Sequence, residues 1–261
     1  MPRILQFLDA DAAAAALADI VIEHAIAAVI ARGRFDFCTT GGSTPGALYR
    51  ALREPSRVGR MPWSATHLWL GDDRRVSRTS PDSNLTAVDG ILLTKSGAGL
   101  TPLPATPIVH PWATENPDAR AAARGYLTEA QGEVTDCTAA GTPIFDLVLI
   151  GVGTDGHCLS VFPHSPLADS AAPLTAPVDA PTHIGPHLPR LSFSLGILAP
   201  ARAVCAVATG AAKATVVAKI LNTDGSVAEM PARAALLDQS TWLLDARSEE
   251  HTSELQSHVR I

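Results

Sequence analysis

The 261-residue chain has little cysteine and no surplus of positive charge. Its four cysteines, Cys38, Cys137, Cys158 and Cys205, lie far apart, and none forms a CxxC pair. That spacing gives no support to a zinc ribbon or a thioredoxin-like centre. It reads as reduced thiols in a cytoplasmic protein, with Cys38 and Cys205 serving as small buried apolar residues. Lys and Arg number 20 against 26 Asp and Glu, a formal net charge of −6. Without a basic surplus, nucleic acid is not expected as a partner, although a few local cations can still hold a small anion. The stretch up to Gly33 lacks a charged start followed by an unbroken apolar core. Asp9, Asp11, Asp19 and Glu23 interrupt it, so neither a signal peptide nor a membrane span is expected. Also missing are HExxH or Cys/His metal spacing, a GK[ST] phosphate loop, a GxSxG nucleophile elbow and any internal repeat.

What is present is an apolar content of 46%, enough for a sizeable core and one α/β domain over residues 1–246. Asp9 or Asp11 is placed to cap an Ala-rich helix that ends near Gly33. FDFCTT, THLWL, FDLVLIGVG, RLSFSL, AVCAVAT and TWLLD read as strands, and FDLVLIGVG, a continuous apolar run ending in glycines, reads as a central one. Helices are expected from residue 47 to 52, 84 to 93, 118 to 132 and 211 to 221, and the Pro-rich stretch from 102 to 117 is expected to be irregular. Strands alternating with helices imply a mostly parallel sheet flanked by helices on both faces. In such sheets ligands sit at the carboxyl ends of the strands, where GGSTP, GDDRR, GVGTDGH and TGAAK all fall.

Gly41, Gly42, Ser43 and Thr44 join a strand to a helix. Glycines let the backbone approach a ligand, and a helix start offers free N–H groups to an anion; an ordinary capped turn has the same composition. Residues 151–156 match GxGxxG, yet Pro163 falls where the first helical turns of a dinucleotide fold would run, and no strand leads into the acid at Asp179. His157 differs from the other histidines because it follows a glycine turn at a strand end, where a neutral imidazole can take a proton from water. Asp72, Asp73, Arg74 and Arg75 form a charge run read as a loop, able either to meet an anionic substrate or to stay solvated. Arg190 begins a strand. Lys213 lies in the first turn of a helix, against the dipole, which suits a ligand-facing cation or a plain surface lysine.

Taken in order, TTGGSTPGALYRAL, HLWLGDDRRVSRTSPDSN, FDLVLIGVGTDGHCLSVFP, PHLPRLSFSLGILAPARAV, TGAAKATVVAKIL and MPARAAL with TWLLD resemble the 6-phosphogluconolactonase family, from about Thr39 to Asp245. The resemblance implies a modified Rossmann-like fold shared with glucosamine-6-phosphate deaminases and ribose-5-phosphate isomerases. It implies no cofactor, no metal, no membrane and a phosphorylated sugar lactone as the small-molecule partner, in a monomer or small homo-oligomer. It places a general base at His157, with Asp72 and Arg74 beside it. It places the substrate and phosphate site at Gly41, Gly42, Ser43, Thr44, Arg190 and Lys213. Three departures stand out: Asp73 replaces a glutamate, Gly71 replaces a bulkier apolar residue, and Cys158 with Leu159 replaces a small pair. An amino-sugar-phosphate deaminase or isomerase shares GGSTP and DGH but carries Asp-Glu-Tyr where this chain has Asp72-Asp73-Arg74. A non-catalytic sugar-phosphate sensor is the remaining alternative.

RSEEHTSELQS, from Arg247, resembles a reading frame of a sequencing-library adapter. Residues 247–261 are therefore expected to be a non-native, disordered tail, an assembly artefact or cloning scar outside the fold.

Overall fold

The computed structural model describes residues 1–94 and 99–249. Ten strands are described: β1 (Arg3–Phe7), β2 (Phe35–Thr39), β3 (Thr66–Leu70), β4 (Asp72–Arg74), β5 (Ile108–His110), β6 (Leu147–Gly151), β7 (Thr175–Val178), β8 (Arg190–Phe193), β9 (Val204–Ala208) and β10 (Ser240–Asp245). The main helices are α1 (Ala10–Arg32), α2 (Ser43–Leu52), α3 (Leu85–Ala87, running into a wide turn over Val88–Leu92), α4 (Ala119–Glu133) and α5 (Ala214–Asn222). Seven strands form one parallel sheet in the order β1-β10-β9-β6-β2-β3-β5, and β4, β8 and β7 form a small antiparallel sheet.

The strand order reverses between β2 and β6. From β2 the chain winds outward to β3 and β5, and from β6 it winds the other way to β9 and β10. Right-handed crossovers therefore place α1 and α2 on one face and α4 and α5 on the other. The crevice between the carboxyl ends of β2 and β6 is the place where ligands bind in open α/β sheets.

Local chemistry explains the elements. Asp9 accepts from Ala12 N at 2.8 Å and caps α1, and Gly33, at φ 78°, ends it by returning its N–H to Val29 O. Among the described residues α1 alone is long and apolar enough to cross a membrane. It packs on α2, β2 and β10 and buries Leu17, Val21, Ile22 and Ala25, as a core helix does. Asp118 caps α4 through Ala121 N at 2.9 Å.

Three sequence expectations change. α2 begins at residue 43 rather than 47. The Pro-rich stretch holds an edge strand, β5, whose neighbour β3 pairs with it from His67 to Trp69. The charge run is not a loop: Asp72, Asp73 and Arg74 form β4, pairing antiparallel with Ser192, Leu191 and Arg190. Its charges settle in a strand because the alternating pleat sends neighbouring side chains to opposite sides.

The turn from β3 into β4 is held from both sheets. Tyr126 Oη accepts from Leu70 N at 2.9 Å, and Trp112 Nε1 donates to Leu70 O at 2.9 Å. Gly71 N then donates to Thr39 O at 2.8 Å, while Gly71 O accepts from Phe193 N at 2.9 Å. At the far end of the sheet, Ala246–Glu249 continues from β10 as a short helix. There Ser248 is buried and exchanges hydrogen bonds with Asp245, its N donating at 2.9 Å. The rest of the expected tail, residues 250–261, lies outside the described residues.

Arg53, 1% exposed, follows α2 and staples the segment behind the crevice. Its Nε donates to Thr101 O at 2.8 Å, and its Nη1 to Ile91 O, Leu92 O and Thr94 O at 2.8, 3.2 and 2.7 Å. Arg53→Met keeps the bulk but removes the donor that these carbonyls share, at about 1–3 kcal/mol for each buried group whose hydrogen bond is lost. We expect a net loss of about 3 kcal/mol, read as a Tm fall of roughly 6–12 °C at this chain length. A Tm within about 2 °C of the parent would show that the carbonyls find other donors.

Candidate functional site

A cleft of about 210 Å³ opens at the crevice between β2 and β6. Gly41, Gly42 and Thr44 line it from the β2 turn, Asp72 and Arg74 from β4, His157 from the β6 turn, and Arg190 and Lys213 from β8 and the start of α5. These sequence-expected residues are thus brought together from five separate segments. Ser43 opens α2 beside them; its side chain lies outside the described part.

Each position has a local cause. Gly42 takes φ 90°, a conformation costly for a side chain. A Cβ on Gly41 would collide with the amide of Asn84, so the glycine there admits a protein side chain rather than the ligand alone. Likewise a Cβ on Gly153 would collide with the His157 ring, and Gly156 takes φ 85° to close the turn. His157 stands over Phe162 at 4.8 Å between ring centres.

The imidazole is oriented by a carboxylate. His157 Nδ1 lies 2.5 Å from Asp155 Oδ1, and His183 Nε2 lies 2.8 Å from Asp155 Oδ2. Burial raises the Asp155 pKa, but the hydrogen bonds from His157 and His183 and the His157 charge outweigh it and hold the carboxyl well below its usual range. An ionised acceptor at Nδ1 leaves the proton there and the Nε2 lone pair free to act as a base.

The strand pleat sorts the charge run. Asp72 and Arg74 face the cleft, while Asp73 turns inward and Arg75 reaches away to Asn116 O at 2.5 Å. Asp72 Oδ2 accepts from Ser160 Oγ at 2.5 Å and Oδ1 from Asn84 Nδ2 at 3.3 Å. Arg74 Nη1 donates to Asp82 O at 2.7 Å, and Arg190 Nη2 to Pro186 O at 3.1 Å. Among the described residues, neither arginine nor Lys213 has a carboxylate within 4.0 Å. Burial lowers the Lys213 pKa, with Asp155 opposing, and burial likewise lowers that of Arg190. Three cations without an acid partner among the described residues can together hold an anion, which would relieve the cost of burying Arg190 and Lys213.

Several site residues carry weak signals in the sequence. Asp155 sits inside the DGH motif itself, two residues before His157, a spacing at which a carboxylate can turn back onto the imidazole. Asn84, Ser160 and His183 carry no such signal, because their partners Asp72 and Asp155 are distant in sequence or become acceptors only through the fold.

The sequence profile of the glucosamine-6-phosphate isomerases/6-phosphogluconolactonase family matches residues 8–244. The chain belongs to this family. It is 32% identical over 242 residues to a 6-phosphogluconolactonase of Mycobacterium tuberculosis, covering 92% of this chain and 94% of that one. It is 32% identical over 234 residues to the GDH/6PGL endoplasmic bifunctional protein of Oryctolagus cuniculus, covering 88% of this chain and only 28% of that one. A solved 6-phosphogluconolactonase from Shewanella baltica superposes with a TM-score of 0.78 at 25% identity, covering 94% of this chain and 98% of that one.

Within this lactonase-like site Asp73, which stands where the resemblance implies a glutamate, has a structural task. Its Oδ1 accepts from Arg74 N and Asn84 N at 2.8 and 2.7 Å, and its Oδ2 from Ser83 Oγ at 3.2 Å. Burial pushes its pKa up to about 6 from an ordinary 3.8, although those backbone donors pull it back. Between pH 4 and 6 the folded protein keeps a proton that the unfolded chain has lost. Stability therefore falls as pH rises through that window and stays lower above it. At about 1.36 kcal/mol per pKa unit the cost at neutral pH is at most about 3 kcal/mol. Asp73→Asn keeps an oxygen for both backbone donors and removes the charge. It is expected to raise Tm at pH 7.5 by about 2–6 °C, with the gain vanishing near pH 4. An equal gain at both pH values would place its origin elsewhere.

Proposed function

We propose that this protein hydrolyses 6-phospho-D-glucono-1,5-lactone to 6-phospho-D-gluconate, the lactone-opening step of the oxidative pentose phosphate pathway, with His157 as general base. The observation that carries this reading is one cleft shared by a carboxylate-oriented imidazole and three cations without acid partners. A base alone would serve many reactions; a base beside an anion site suits a phosphorylated ester. Membership of the family, with relatives named 6-phosphogluconolactonase matched along nearly their whole length, supports it.

The steps use water and the chain's own side chains. His157 Nε2 takes a proton from water as the water oxygen bonds to the lactone carbonyl carbon. The carbonyl electrons move to oxygen, and the resulting oxyanion meets Arg74 or a nearby backbone N–H. When the oxyanion collapses, the bond from that carbon to the ring oxygen breaks. The imidazolium returns its proton to the ring oxygen, which leaves as a hydroxyl on the same molecule. Asp155 keeps the imidazole in the productive tautomer and offsets its transient charge. Arg190, Lys213 and the turn of residues 41–44 hold the phosphate, so that binding energy remote from the ester orients the ring. An Arg74 facing the cleft favours a lactonase over an amino-sugar-phosphate deaminase, where that position carries tyrosine.

Fresh 6-phosphogluconolactone, followed by stopped assay against an enzyme-free control, tests the reaction. Release of ammonia from an amino-sugar phosphate, without lactone opening, would replace this reading by the deaminase one. His157→Gln should lower kcat by about 10²–10⁴, while calorimetric affinity for 6-phosphogluconate stays within about threefold. Full activity in that variant would remove His157 from the chemistry. Lys213→Ala should instead raise KM roughly tenfold to a hundredfold, the loss of one hydrogen bond to a charged group. Gluconolactone without phosphate should be a poor substrate of the parent; equal efficiency on both lactones would remove the phosphate site.

A further inference from the structure

Gly71 and Leu159, far apart in sequence, meet at the floor of the cleft. A Cβ built on Gly71 would lie 2.5 Å from Leu159 Cδ2, well inside contact distance, while its next neighbours are Thr39 O at 3.4 Å and Cys38 Sγ at 3.8 Å. The absent side chain at position 71 therefore makes room for Leu159 and for little else. Leu159 lines the cleft and is 5% exposed. It holds φ 54°, a left-handed conformation that a leucine rarely adopts.

That conformation is maintained from both sides. Val161 N donates to Cys158 O at 3.0 Å across the turn, and Ser160 is fixed by its N to Ser192 Oγ at 3.1 Å and its Oγ to Asp72. Strain of this kind persists where the surroundings over-determine it, and such positions cluster in ligand sites. Most of the cleft wall is polar or glycine, from Gly41, Asp72 and Arg74 to Gly153 and His157, with Val152, Ile184 and Val207 as its other apolar lining. Leu159 thus supplies an apolar surface at the meeting point of β3, β4 and the β6 turn.

We infer that Leu159 is a specificity-determining residue, an apolar floor that packs on the lactone ring and whose position is set by the missing side chain of Gly71. This rests on the proposed lactonase reading and adds the part of the substrate that is read there: the C–H face of the ring, as distinct from the phosphate held by the cations. An apolar contact of this size in a pocket changes discrimination by about 10–200-fold. Because the contact is made in both the ground state and the transition state, it acts on KM more than on kcat.

A double-mutant cycle tests it, using 6-phosphogluconolactone for kinetics and 6-phosphogluconate for calorimetry. Leu159→Ala should raise KM about tenfold, weaken 6-phosphogluconate to a similar degree, and leave kcat within about threefold. Gly71→Ala, which drives Leu159 off its seat, should lose at least tenfold in kcat/KM. The pair Gly71→Ala/Leu159→Ala should match Leu159→Ala within about twofold, since a methyl at 71 then meets nothing closer than ordinary contacts. That last comparison decides the coupling even if Gly71→Ala alone does not fold. An active parent with unchanged KM in Leu159→Ala overturns the specificity role alone. A double variant much worse than Leu159→Ala overturns the coupling. A parent that leaves the lactone untouched overturns the functional reading and this role together.

Discussion

β2 and β6 lie side by side in the parallel sheet, but their ladder pairs only Phe37 with Leu147 and Cys38 with Val148. Beyond those two rungs the strands part, because the chain winds away from β2 in one direction and from β6 in the other. The outgoing crossovers, from β2 to β3 and from β6 to β9, lead away from that gap in opposite directions. The carboxyl ends of the two strands, and the turns that follow them, face into the opening. The groups in the proposed chemistry stand on that gap or are aimed into it from the small antiparallel sheet beside it, except Lys213, which reaches it from the start of α5 after β9.

The gap also explains what the site costs. Its cations are held partly out of water without carboxylate partners, and Asp73 is ionised at neutral pH against its burial. These are unfavourable terms for an empty protein, and the remaining structure offsets them. A core of close-packed apolar residues and the capped helices α1 and α4 supply the favourable side. Active sites commonly carry such stored cost, because a pocket preorganised for a charged ligand is unsatisfied until the ligand arrives.

The central strands are legible because burial on both faces leaves a continuous apolar run: FDLVLIG and AVCAVA have no solvent side to mark. α1 is legible from Asp9 and Gly33, whose capping roles follow from local chemistry. β1 is not, since RILQF alternates weakly at the sheet edge. β7 is hidden by Pro177 in a Pro-rich run, and it exists only because β8 pairs with it. β4 reads as a loop for the same reason: a strand of three charged residues is stabilised by its partner, not by its own composition. RLSFSL alternates in sequence, yet Arg190–Phe193 is buried throughout, because the second sheet packs against the first.

For function, the sequence by itself determined which reactive groups exist and that they fall at strand ends: His157 after its glycine turn, the arginines after β3, and Lys213 at a helix start. Local rules suffice there, since a glycine turn and a helix terminus are read within a few residues. Only the tertiary structure decided which of those groups share a cleft, and which turn away, as Asp73 and Arg75 do. It alone gave Asp155 to two histidines, set Asn84 against Gly41, and seated Leu159 on Gly71. These pairings join residues whose separation in sequence carries no record of their distance in space. They arise when the sheet closes, and packing rather than propensity fixes them.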